Sequence, residues 1–149
     1  SIGGVVARAE IMNCLDSNSI STFGGSPVTM AAGLANLAYL LDHDLQGNAR
    51  RVGGRLIERL RSGCAGLPGV REVRGRGLMI GVELVQPGTD AADPALGARV
   101  LEAAREGGLL IGKGGGHDTS VLRIAPPLSL TEAEADEGAE ILLRALRSA

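Results

Sequence analysis

VREVRGRGLMIGVELV, residues 70–85, decides how this chain folds. Gly75 and Gly77 interrupt it, and LMIGVELV is more hydrophobic than the stretch before it. The pattern reads as two strands separated by a glycine turn. On the N-terminal side, Leu67-Pro68-Gly69 is a turn. Before it, Leu45, Ala49, Val52, Leu56, Leu60 and Cys64 recur at three- and four-residue steps among arginines. That spacing predicts an amphipathic helix ending near Gly63 or Gly66. Further back, VTMAAGLANLAYLLDH is apolar almost all round, which predicts a buried helix. Ser26 is its expected N-cap and Pro27 its first residue. A Gly turn at SIGG and a short buried strand at Val5-Val6-Ala7 open the chain, followed by a polar loop over residues 13–27.

On the C-terminal side, Ala95 to Glu106 reads as a short helix stopped by Gly107-Gly108. LLIGKGGGHD and SVLRIAPPL give two more short strands around a Gly-rich loop. Thr131 and Glu134 match a capping box, which opens a final amphipathic helix running to about Leu146. Ala135, Leu142, Ala145 and Leu146 share one of its faces. Strand pairs alternating with single helices predict an α/β chain of the α+β kind: a small, mostly antiparallel sheet covered by helices.

The chain has 149 residues, 44% of them hydrophobic, with 15 Lys+Arg against 17 Asp+Glu. No basic excess draws it to nucleic acid or anionic lipid, and one Phe and one Tyr provide no platform for stacking bases. Apolar runs fall far short of the roughly 20 residues needed to cross a bilayer. No secretory signal is visible at Ser1, so a cytoplasmic location is expected. Two cysteines form no disulfide framework or metal cluster. Gly is abundant, 23 residues, but shows no Gly-X-Y period, which excludes a collagen-like chain.

SIGG with VVARAEIM, STFGGSPVTMAAGLA, VREVRGRGLMIGVELV, GLLIGKGG and VLRIAPPLSLTEAEAD occur in that order. Together they resemble the C-terminal part of class III (ornithine/4-aminobutyrate type) aminotransferases, pyridoxal-phosphate enzymes of fold type I. TFGG, RGLMIG and RIAPP look most like the alanine–glyoxylate aminotransferase 2 branch. The resemblance implies that residues 1–30 are a remnant of the cofactor-binding large domain, a strand and a phosphate loop. It implies that residues 31–149 are a long helix and the C-terminal small domain. It further implies a cofactor, pyridoxal 5'-phosphate, substrates that are an amino acid and a 2-oxo acid, and a homodimer or an N-terminal half as partner. In that family the Schiff-base lysine immediately precedes the SIGG-type motif, so no catalytic residue is expected in this chain. Alone it is then expected to be inactive. The connections after SIGG and before STFGG are shorter than the family's usual ones.

The resemblance assigns Thr22, assisted by Ser21, to the cofactor phosphate across a dimer boundary. A hydroxyl pair in a Gly-rich loop leading to a helix N-terminus suits an anion, although such a stretch also serves as an ordinary polar loop. Arg123 sits in an apolar strand just before Pro126-Pro127, where its charge must be paired or aimed into a cleft. Its planar fork suits a carboxylate, and the resemblance assigns it to the substrate's. The alternative is an edge-strand arginine paired with a local acid. Arg74 and Arg76 read as solvated or ion-paired arginines beside a tight turn. Lys113, the single lysine, precedes its glycines and lacks the following Ser/Thr of a phosphate-binding P-loop. His43 and His117 are isolated, so no metal is expected. Cys14 and Cys64 read as inert loop or core thiols. A different class of function also fits: a non-catalytic binding or dimerisation module, or an orphan fragment.

Overall fold

The computed structural model describes residues 2–17, 20–114 and 120–149. The chain divides into two compact units, Ser1–Asp44 and Leu45–Ala149. The first contains a short helix α1 (Ala9–Met12) and the long helix α2 (Pro27–Asp42). The second runs α3 (Leu45–Cys64), β1 (Val70–Arg76), β2 (Met79–Leu84), α4 (Pro94–Glu106), β3 (Gly112–Lys113), β4 (Val121–Ile124) and α5 (Glu132–Ser148).

The four strands form one sheet in the order β1-β2-β4-β3, and every pairing is antiparallel. The expected fold class therefore holds. Gly77, at φ +57, makes the turn between β1 and β2. A left-handed backbone there costs glycine little. Along β2 the residues Ile80, Val82 and Leu84 are buried, alternating with more exposed ones, as a half-buried strand requires. The core gathers this inner face with Leu56, Leu60 and Cys64 of α3, Val100 and Ala104 of α4, Leu122 of β4 and Leu142 of α5. Each fully buried Leu or Val contributes about 1.5–3 kcal/mol by leaving water.

Two local devices fix the helices against the sheet. A Cβ on Gly53 of α3 would lie 2.2 Å from the carbonyl carbon and oxygen of Gly77. Helix and hairpin turn therefore meet backbone to backbone. On α5, the backbone N–H of Glu134 donates to Thr131 Oγ1 at 3.2 Å, and that of Thr131 donates to Glu134 Oε2 at 2.9 Å. Both halves of the expected capping box are present. Arginines of α3 face acids of α5, with Arg55 on Asp136 at 2.6 Å and Arg59 on Glu140 at 3.2 Å.

The first unit departs from expectation in two ways. Val5-Val6-Ala7 forms no strand, and Val5 and Val6 are exposed. A strand needs a neighbour for its ladder, and no described residue supplies one. Helix α2 forms where expected, beginning at Pro27, but none of its residues is buried and Ser26 makes no side-chain cap. Val28, Leu34, Leu37 and Leu41 are all exposed. The all-round apolar composition is real, yet the described residues of the first unit supply no surface to cover it.

Candidate anion-binding side chains

In the first unit, Ser21 and Thr22 lie in the turn ahead of α2. The N–H of Gly24 donates to the Ser21 carbonyl at 3.0 Å, and Gly25 adopts φ +75. Both hydroxyl-bearing residues are exposed, and neither side chain has a hydrogen-bond partner among the described residues. Pro27 has no N–H, and the first turn of α2 carries no acidic residue. The turn therefore offers two free hydroxyl donors near a helix start of positive polarity.

In the second unit, Arg123 belongs to β4, an interior strand, so the edge-strand alternative does not describe it. Leu122 and Ile124 face the core and Arg123 faces outward. Register places Arg74, Gly81, Arg123 and Gly112 in one row across the outer face. The two arginines in that row differ. Arg74 is clamped by Glu83 and by Glu72, the latter at 2.9 Å. The hydrogen bonds it donates to Glu83 and then to Glu72 raise its pKa further above the ordinary arginine value. Arg123 has no ion pair or side-chain hydrogen bond among the described residues.

Arg123 leans toward β3. A Cβ on Gly112 would lie 3.8 Å from its Nη2 and 3.9 Å from its Nε. Beside it is a cleft of about 290 Å³ whose other walls include Leu110, Ile111, Ile124 and Pro126. Among the described residues, the guanidinium is the single charged group on that lining. Downstream, the prolines 126 and 127 lack N–H groups and β4 ends at Ile124. The chain leaving it is held by Asn48 of α3, whose Nδ2 donates to the carbonyls of Leu128 at 2.8 Å and Leu130 at 2.9 Å. Asn48 and Gly112 were invisible as site residues in the sequence. The only signal was a glycine inside an apolar strand, which marks a close approach.

The remaining candidates take structural places. His43 stacks on Tyr39, with ring centroids 3.9 Å apart, and no group of metal ligands exists among the described residues. His117 and the glycines after Gly114 lie outside the described residues, as do Ser1, Asn18 and Ser19. Lys113 pairs with Leu122 in the β3–β4 ladder and is exposed. Burial pushes the Cys64 thiol pKa up, which lowers its reactivity, whereas Cys14 is exposed. No helix among the described residues is long and apolar enough to cross a membrane.

A family model described as aminotransferase class III matches residues 1–146. Acetylornithine aminotransferase 1 of Bordetella pertussis is 45% identical over 83% of this chain and 28% of its own length. Alanine–glyoxylate aminotransferase 2 homolog 2, mitochondrial, of Arabidopsis thaliana is 42% identical over 91% of this chain and 28% of its own length. Among solved structures, a phospholyase from Arthrobacter in complex with phosphoethanolamine superposes with a TM-score of 0.82 at 35% identity. That match covers 95% of this chain and 34% of the other. The chain thus spans about a third or less of these relatives, and 45% against 42% identity does not single out one branch.

Proposed function

Because the chain belongs to the class-III aminotransferase family, we propose that it is the C-terminal portion of a cytoplasmic transaminase that uses pyridoxal 5'-phosphate. The reaction moves an amino group between an amino acid and a 2-oxo acid. The observation that carries this reading is Arg123, a guanidinium without an ion pair among the described residues, on the lining of a cleft whose other described side chains are apolar. Its planar fork receives both oxygens of a substrate carboxylate, and the apolar walls offer that anion no competing partner.

The Ser21–Thr22 turn fits the cofactor's phosphate, since both hydroxyls are exposed and uncommitted among the described residues. On this reading Thr22, with Ser21 beside it, donates to the phosphate held by a second subunit of a homodimer. When bound, the cofactor supplies an electron sink for the substrate carbon that bears the amino group. The side chains of this chain orient and hold: Thr22 fixes the phosphate end and Arg123 fixes the carboxylate end. No residue of this chain is assigned the reactive amine. Residues 1–30 are then a remnant of the large cofactor-binding domain, and the uncovered α2 is a surface that meets other chain in the assembled enzyme.

The test is amino transfer from L-alanine to glyoxylate or 2-oxoglutarate by the complete enzyme, formed by combining this chain with an N-terminal half. Arg123→Ala is expected to raise KM for the acceptor about 10- to 100-fold, the loss of a charge-assisted pair, with kcat less affected. An unchanged KM overturns the carboxylate role. Thr22→Ala is expected to weaken cofactor affinity about tenfold, and unaltered affinity removes Thr22 from the phosphate site. Turnover by the 149-residue chain alone would refute the assignment of the reactive amine to another segment.

A further inference from the structure

The contrast within one row of the sheet needs a cause. Arg74 and Arg123 occupy the same outward row, two strands apart, and Arg74 is neutralised by two carboxylates. Arg123 is opposed across the ladder by glycine on both sides, Gly81 and Gly112. Gly81 is filled from elsewhere: a Cβ there would meet Val121 Cγ1 at 3.3 Å and Arg74 Cγ at 4.0 Å. Gly112 is different, because the atoms standing nearest to its missing side chain are those of Arg123. At 3.8 Å a methyl would make ordinary contact, but any longer or charged side chain would take the ground on which the guanidinium rests.

We infer that Gly112 is a positioning residue: by presenting no side chain, it lets Arg123 lie across β3 beside the cleft, unpaired among the described residues and open to an external carboxylate. This rests on the carboxylate reading of Arg123 given above. Gly112 touches no reacting atom. It acts by leaving the cation uncommitted, where a side-chain carboxylate would turn Arg123 into a second Arg74.

The experiment is modification of the full 149-residue chain with phenylglyoxal, which attacks free guanidinium groups, with the rates at Arg123 and Arg74 read site by site by mass spectrometry. In the native chain Arg123 is expected to react faster than Arg74. Gly112→Asp places a carboxylate against Arg123, and its rate is expected to fall about three- to fivefold, toward that of Arg74, whose own rate stays constant. Gly112→Ala is expected to keep Arg123 within about twofold of its native rate, since a methyl fits in ordinary contact. A native Arg123 no faster than Arg74 overturns the inference. So does an undiminished Arg123 in Gly112→Asp, including the case in which both arginines accelerate together because the sheet has loosened. Sodium pyruvate as a competing carboxylate separates this inference from the reading beneath it. Pyruvate is expected to slow modification of native Arg123 and not of the Gly112→Asp variant. If pyruvate protects nothing while Gly112→Asp still silences Arg123 selectively, the substrate role falls and the positioning role stands.

Discussion

Helices α2 and α3 follow one another in the chain, and only one of them is built into a core. Helix α3 buries Val52, Leu56, Ile57, Leu60 and Cys64 on one face and carries its arginines on the other. Helix α2 is apolar on nearly every side and buries nothing. The difference is one of demand. An amphipathic helix is satisfied by a single neighbouring surface, and the sheet with α5 provides it. A helix apolar all round needs cover all round, and the described residues of its own unit supply none.

The sharpest way to break that contrast is to separate the regions. Residues 45–149 produced alone are expected to unfold cooperatively with the midpoint of the whole chain. Residues 1–44 alone are expected to lose most of their far-ultraviolet helical signal, because isolated helices shorter than about 15 residues are marginal in water and α2 is barely longer. A stable helical 1–44 peptide would show that α2 needs no cover. One step smaller, Leu60→Ala in α3 is expected to cost about 2–5 kcal/mol in urea unfolding, and Leu37→Ala in α2 under about 0.5 kcal/mol. Equal costs would erase the distinction. Smaller still, Thr131→Ala removes the cap of α5 and is expected to cost about 1 kcal/mol, located in the second region.

Acid sensitivity should also be confined to that region. A hydrogen bond from Arg55 lowers the pKa of Asp136, and hydrogen bonds from Thr131 lower that of Glu134. A carboxylate whose folded pKa lies below its unfolded value binds fewer protons when folded. Its contribution is present above the ordinary carboxylate range and is lost as the pH falls through the lowered value. Asp136→Asn should therefore be less stable than the native chain at pH near neutrality, with the gap closing in acid. A gap that persists in acid would mean that the Arg55–Asp136 contact contributes through something other than charge.

What the sequence disclosed follows the range of each signal. The β1–β2 hairpin and the α5 cap were legible because Gly77 and the Thr131–Glu134 pair act on their immediate neighbours. The second strand was marked by alternating Ile80, Val82 and Leu84. Val5-Val6-Ala7 misled because apolar β-branched residues state a preference for a strand without naming a partner for it. The α2 reading misled in the same way, since composition reports the need for cover and not its presence. Within the site, Arg123 stood out as a charge in an apolar strand. Its difference from Arg74 depends on which residues oppose each across the ladder, and register is a property of pairing that single segments do not encode.

The abutment of Gly53 on Gly77 has a consequence for how this fold can vary. The constraint runs one way, because a side chain at Gly53 would drive into the Gly77 carbonyl and push the helix off the hairpin, whereas one at Gly77 would meet Ala49 in ordinary contact. A homologue that carries a side chain at position 53 must have moved the hairpin turn away from the helix. Drift at one silent glycine would thus be felt in the seating of the hairpin.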